Sequence, residues 1–226
     1  MGGKTNFRND IPLFEKYKAR EGAFRPACLK EVRTLLEEIY QVEYSVDCEA
    51  DDLISMYQYK GWRTGEKIVV VAVDKDAKQT PGWLYNPDSE LLKDCSGFGE
   101  IWLKDKANGT KKLDGFGRMF FYYQVLCGDP VDEYNPFPKG SRVTDLKFYN
   151  MFKDFTTDND KECWEQVASL YKQNYGLLKE YTDWSGKVHK GTWVNILQNY
   201  VDVVHMRRWK DDRINVKDVL SKYGII

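Results

Sequence analysis

Leu29, Val32, Leu35, Leu36 and Ile39 recur at the three- and four-residue spacing of a single helical face, and Pro26 precedes them where a first turn tolerates proline. This predicts an amphipathic helix over residues 26–40. A short β-prone stretch, 42–46, follows. A second helix is expected from Glu49 to about Tyr59 through Leu53, Ile54, Met56 and Tyr57, with acidic residues in its first turn. Residues 68–73 are continuously apolar and mostly β-branched, the pattern of a strand buried on both faces of a parallel sheet. Another strand is expected at 83–85, and a hairpin joins 100–104 to 111–113 across Asn108-Gly109. A helix over 116–126 then delivers the chain to Gly128. Beyond it, 144–152, 161–175, 192–209 and 216–223 all predict helix, joined by polar loops. The fold class this implies is α/β, a mostly parallel sheet flanked by helices and followed by a helical region.

Composition narrows the picture. With 226 residues, 42% hydrophobic and 31% charged, the chain can bury a substantial core. Its five cysteines, at 28, 48, 95, 127 and 163, form no C-x-x-C pair, and His189 and His205 are the only histidines, so reduced thiols and a cytoplasmic location are expected. No apolar run approaches a membrane span, and a membrane partner is not expected. Net charge is −1, which argues against a uniformly basic nucleic-acid binder. Residues 1–33 nevertheless carry eight basic side chains against four acidic ones, and Arg207, Arg208, Lys210 and Arg213 form a second group partly offset by Asp211 and Asp212.

Three acidic clusters lie at the edges of predicted elements: Glu49-Ala50-Asp51-Asp52, Asp74-Lys75-Asp76 and Gly128-Asp129-Pro130-Val131-Asp132. Taken singly, each reads as a helix cap or dipole partner. Taken together they suit divalent cations, because converging carboxylates repel one another and hard cations such as Mg²⁺ prefer oxygen ligands. Asp74 and Asp76 stand at the carboxyl end of the predicted 68–73 strand, the end where open α/β sheets hold ligands. Lys75, between them, reads as outward-facing, Trp83 reads as core, and neither histidine is assigned a role.

Four blocks in order carry a resemblance: Asn6-Phe7-Arg8 leading to Tyr17-Lys18-Ala19-Arg20, Glu49-Ala50-Asp51-Asp52-Leu53-Ile54, Val73-Asp74-Lys75-Asp76, and Leu126-Cys127-Gly128-Asp129-Pro130-Val131-Asp132. Over roughly residues 2–155 the chain resembles the 5′→3′ exonuclease and flap endonuclease family, which includes phage exonucleases and the nuclease domain of bacterial DNA polymerase I. The resemblance implies a PIN-like nuclease core over 1–127 with an arch-like basic segment, and a helix-hairpin-helix-like and helical region over 128–226. It implies two Mg²⁺ or Mn²⁺ ions, with Glu49, Asp51 and Asp74 holding one region and Asp76, Asp129 and Asp132 the other. Lys18 and Arg20 match arch positions that meet the scissile phosphate. Lys4 and Arg8 would contact that phosphate or its neighbours, Tyr17 would stack on an unpaired base, and Lys139, Arg142 and Lys147 would meet duplex phosphates. The implied substrate is DNA with 5′ ends or flaps, or an RNA–DNA hybrid.

The chain departs from the family in two places. The segment Glu133–Gly140 has one glycine and two prolines where the family has a glycine-rich turn. The family's N-terminal strand, which ends in a metal-binding aspartate, has no counterpart before Met1, so a separate N-terminal nuclease fragment is an expected partner and an open sheet edge an expected consequence. The alternative reading is a catalytically silent DNA-binding remnant or partner subunit. A PIN-like ribonuclease and a P-loop at Gly3-Lys4-Thr5 are the remaining rivals; the latter lacks its upstream glycine and strand.

Overall fold

The computed structural model describes residues 5–19, 26–107, 109–156 and 159–226. After a 3₁₀ turn at Phe7–Asp10 come α1 (Leu29–Ile39) and α2 (Ala50–Thr64). Strand β1 (Val69–Val71), a 3₁₀ turn at Asp76–Gln79, β2 (Trp83–Asn86) and β3 (Leu91–Asp94) follow, then the hairpin β4 (Ile101–Asp105) and β5 (Lys111–Gly115). The remainder is α3 (Arg118–Cys127), α4 (Asp145–Phe152), α5 (Asp160–Tyr175), a small hairpin of β6 (Glu180–Thr182) and β7 (Val188–Lys190), α6 (Trp193–Val204) and α7 (Val216–Lys222). No helix among the described residues is long and apolar enough to cross a membrane.

The fold is mixed α/β with small sheets. The expected mostly parallel sheet reduces to a single parallel pair, β1 on β2, with β3 antiparallel on the other side, and the two hairpins stand apart as separate sheets. Nor is the 68–73 run buried on both faces. Val70 and Ala72 turn to a small core with Ala77, Leu84, Cys95 and Ile54, whereas Val69, Val71 (64% exposed) and Val73 face outward. The reason is coverage: β1 lies at the sheet edge, and α1, which the apolar stripe predicted correctly as a helix, buries none of its own residues. Trp83 shares this uncovered surface and is half exposed instead of core.

The larger core is built on α3, whose Phe121, Tyr122, Val125 and Leu126 meet Trp164, Val167 and Tyr171 of α5, Phe148 and Phe152 of α4, and Ile196, Leu197 and Tyr200 of α6. Leu13 and Leu220 belong to the same cluster, so residues from both ends of the chain close it. The 42–46 stretch forms no strand, and the 192–209 helix stops at Val204. The β6–β7 hairpin was not foreseen; its strands are only three residues long, and its turn rests on Asp183 accepting from Ser185 and Lys187.

Two local features position the later chemistry. Glu49 caps α2 in a reciprocal box, the Asp52 carboxylate accepting from the Glu49 N–H at 3.0 Å. The buried face of α2 is polar and small: Ser55 bonds Thr80 at 2.5 Å, Gln58 donates to the Thr80 carbonyl at 2.8 Å, and a Cβ on Gly61 would lie 2.8 Å from the Ile68 Cβ. This holds α2 tightly against the turn that carries Asp74 and Asp76.

Arg8 ties these parts to the far end of the chain. Fully buried, it makes a bidentate pair with Asp52 at 2.6 and 2.9 Å and donates to the carbonyls of Val203 and His205 at 2.8 and 2.9 Å, at the C-terminus of α6. Those carbonyls are among the orphan acceptors of a helix end, and a cation there complements the helix dipole. Burial alone would lower the Arg8 pKa, but the Asp52 hydrogen bonds and charge outweigh it and raise it. Arg8→Met should destabilise the chain by about 3–5 kcal/mol, the cost of leaving a buried carboxylate unpaired, and Arg8→Met with Asp52→Leu should recover part of that loss. Urea unfolding of both variants measures it; an Arg8→Met chain as stable as the parent would refute the keystone role.

Candidate metal centre

Carboxylate oxygens of Asp76, Asp129 and Asp132 all lie within 4.8 Å of one another. Each is delivered by a turn. The Asp74 carboxylate accepts the Asp76 N–H at 2.8 Å, which ends the β1 extension and swings Asp76 inward. Asp129 follows Gly128, whose φ of +72° favours glycine and where a Cβ would lie 2.5 Å from the Tyr134 carbonyl. That close approach lets Asp129 and Tyr134 exchange backbone hydrogen bonds at 3.0 and 3.2 Å, while Asp129 also accepts from the Val131 N–H at 2.8 Å. Asp132 is thereby brought round beside Asp129, its carbonyl accepting the Lys18 N–H at 3.0 Å.

The other three carboxylates adjoin this group. Glu49 accepts from Tyr17 at 3.1 Å, and the same hydroxyl reaches Asp132 at 3.3 Å. Lys18 spans the same two residues, at 2.7 Å from Glu49 and 3.7 Å from Asp132. Asp51 is pushed up to about 6, first by burial and then by the charges of Asp74 and Glu49. Asp132 is likewise pushed up to about 6 by burial, with Lys18 opposing and Asp76 and Asp129 adding to the shift. Burial also raises Asp76, against the pull of Lys75.

Lys75 is the correction with the most chemical content. It turns into the cluster instead of outward, bonding Asp129 closely and Asp76 at 3.2 Å. Burial opposes its charge, but Asp76 and Asp129 hold its pKa above the usual value. An ammonium group thus sits among the carboxylates as a cation in its own right.

Two assignments to DNA contact are overturned by burial. Arg8 has no exposed surface and serves Asp52, which explains why Asp52 stands apart from the metal cluster. Tyr17 is buried, stacks on no open surface, and spends its hydroxyl on Glu49 and Asp132. Lys18 is partly exposed and adopts a left-handed φ of +48°, a strained conformation for a lysine. Lys139, Arg142 and Lys147 are exposed, Arg142 lying 3.5 Å from Glu15. Lys4 and Arg20 lie outside the described residues. Sequence reasoning missed Asn6, which donates to Glu49 at 2.9 Å, and Gln124, which donates to Asp76 at 2.5 Å. A lone amide inside the apolar run of α3 was the available signal for Gln124, because a buried amide demands a partner.

The donor set fits a divalent cation. It is all oxygen, burial followed by its own crowding pushes Asp51 and Asp132 up to about 6, and it already draws in the Lys75 ammonium. A pH dependence follows. Because the folded state holds the Asp51 and Asp132 protons more tightly than the unfolded chain does, stability without divalent ions should rise by about 1–3 kcal/mol as pH falls from about 7 to about 4.5. Below the ordinary carboxylate range the trend should reverse, since Asp52, Asp114 and Asp212 have depressed pKa values and lose their pairing there. Urea unfolding in chelator across this range checks both limbs, and millimolar Mg²⁺ should flatten the first.

No family model matches the chain, and no solved structure matches it significantly. Among curated proteins it is similar to a 5′-3′ exonuclease of Buchnera aphidicola subsp. Schizaphis graminum (strain Sg), 29% identical over 175 residues. The match takes in 76% of this chain and 57% of that protein, so the chain spans little more than half the length of the curated relative it matches.

Proposed function

We propose that the chain provides the catalytic carboxylates of a metal-dependent 5′→3′ exonuclease or flap endonuclease that hydrolyses DNA phosphodiester bonds. The observation that carries this reading is the convergence of Asp76, Asp129 and Asp132 within 4.8 Å, with Glu49, Asp51 and Asp74 adjoining. Asp76, Asp129 and Asp132 would hold one Mg²⁺ or Mn²⁺ ion and Glu49, Asp51 and Asp74 a second. Bound there, two such ions activate a water, stabilise charge on the scissile phosphate and steady the leaving oxygen.

The protein's own groups prepare the site. Tyr17 and Asn6 fix the Glu49 carboxylate, Gln124 fixes that of Asp76, and Lys18, tethered to Glu49 at the rim, is within reach of an incoming phosphate. Lys75 neutralises Asp76 and Asp129, and a divalent ion held by those carboxylates would take over that charge and leave the ammonium available to a phosphate. Lys139, Arg142 and Lys147 supply exposed cations for the duplex beyond the cut, where phosphate contacts fix register without reading sequence. RNA–DNA hybrids fit the same backbone chemistry.

On this reading a further strand beside β1 would raise activity. Among the described residues β1 has a free edge, which invites a further strand beside the acidic residues, and Val69, Val71 and Val73 leave one face of it apolar and exposed. Without that strand the chain is a DNA-binding subunit with weak cleavage.

Cleavage of a 5′-labelled flap duplex by the purified chain tests the proposal. Mg²⁺ or Mn²⁺ should support it, and Asp76→Asn with Asp129→Asn should reduce it by about 10³-fold or more, the several kcal/mol expected of metal charge stabilisation. Calorimetry showing neither ion bound would overturn the metal centre. Ion and DNA binding without cleavage would favour the partner-requiring subunit.

A further inference from the structure

On the side of α2 and α3 away from the acidic cluster lies an aromatic and cationic surface that the proposed active site does not use. Trp62 and Trp209 are each about half exposed and flank Tyr59, with ring centroids 5.5 and 5.7 Å from it. Arg208 lies over both Tyr59 and Trp209, at 5.5 and 4.8 Å. Trp62 also forms the wall of a groove of about 240 Å³ that runs past Gly97 and Phe121 between Arg208 and Arg118. Through Gly97 and Arg118 this groove continues into a second, of about 410 Å³, which ends at Lys222 and Tyr223.

We propose that this groove and its tryptophan platform bind single-stranded nucleic acid, taking unpaired bases on Trp62 and Trp209 and the phosphate backbone along Arg208, Arg118 and Lys222. The inference rests on the nucleic-acid substrate of the proposed function. Exposed rings interleaved with cations are the chemistry that holds a single strand, since every base has a face to stack and the backbone is a polyanion. A duplex hides those faces in its own stack. Charge is complementary: Arg118 and Arg208 are paired with Asp160 and Asp212, but Arg63, Lys210 and Lys222 have no ion pair among the described residues.

Position supports the same reading. From Asp51 to Trp62 along α2 is about 17 Å at 1.5 Å per residue, roughly five stacked nucleotides at 3.4 Å each. The groove is also wired to the carboxylates. Gln79, on its wall, donates to Gln124, which donates to Asp76 at 2.5 Å. Two hydrogen bonds thus link the groove wall to a proposed metal ligand.

The test is fluorescence anisotropy of a labelled oligothymidylate in chelator, so that binding is read without cleavage. Trp62→Ala with Trp209→Ala should weaken binding by at least about 10-fold, each lost stack being worth about 5-fold or more, and leave blunt-duplex affinity unchanged. The corresponding double Phe variant should bind within about 3-fold of the parent, because a phenyl ring still stacks. Arg63→Glu with Lys222→Glu should make the affinity less dependent on salt. The proposal is overturned if the double Ala variant, shown folded by its thermal transition, binds within about 2-fold of the parent, or if the double Phe variant loses as much as the double Ala. Ring-dependent binding in a chain that binds neither Mg²⁺ nor Mn²⁺ would sink the nuclease reading and keep this one; metal-dependent cleavage with ring-independent binding would do the reverse.

Discussion

The buried pairing of Arg8 with Asp52 is the constraint from which the arrangement of this molecule follows. A guanidinium without exposed surface is tolerable only where its donors are spent, and here they are spent on one carboxylate and two carbonyls from opposite ends of the chain. The pair fixes three things at once: the start of α2, the end of α6, and the direction in which the chain enters from its N-terminal segment. Glu49 and Asp51 flank Asp52 in sequence, so their positions relative to Asp74 and Asp76 are set by that lock and by the Ser55 and Gln58 contacts to the turn at Thr80. Asp212 extends the anchorage, taking His205 at 2.9 Å and both Arg208 nitrogens at 2.7 and 3.0 Å. The metal centre and the aromatic groove therefore share one frame.

Electrostatics within that frame are balanced with little to spare. Burial, with the neighbouring carboxylates adding to it and Lys18 opposing, pushes Asp51 and Asp132 up to about 6. An ammonium is a single charge on a flexible stem, which neutralises carboxylates without organising them, whereas a divalent ion accepts several oxygens at fixed distance. On the proposed reading a divalent ion would therefore organise these oxygens more tightly than the lysine does. Asn6, Tyr17 and Gln124 contribute what charge cannot, holding individual oxygens in place by hydrogen bonds.

What was legible in the sequence was what depends on local pattern. Period-3.6 spacing found α1, α3 and α5 to within a few residues, the Asn108-Gly109 hairpin was readable as β4 and β5, and the three acidic clusters were visible as clusters. What escaped depends on tertiary partners. Arg8 and Tyr17 looked like DNA contacts because basic and aromatic residues near an arch usually face solvent; burial redirected one to Asp52 and the other to Glu49. Lys75 looked outward-facing because alternation along an extended strand would put it there, but the strand has already ended at Val71 and the Asp74 side chain turns the backbone. The continuous apolar run of 68–73 implied two covered faces, and only one is covered, because sequence records what a face would prefer and not what stands against it.

That uncovered face sharpens the physical picture of the working molecule. Val69, Val71 and Val73 present three β-branched side chains on one face at a sheet edge that has no strand opposite it among the described residues. Natural edge strands are usually shortened, bulged or charged to discourage pairing; β1 carries no charge, and its three-residue length is its one such protection. A strand with one apolar face open to solvent is suited to further packing. The acidic residues lie at its carboxyl end, so whatever pairs with β1 arrives next to Asp74 and Asp76 and is able to add ligands there. On the proposed reading, covering that face would couple apolar burial along Val69–Val71 to the carboxylates at the strand's end, helping to hold them together against their own repulsion.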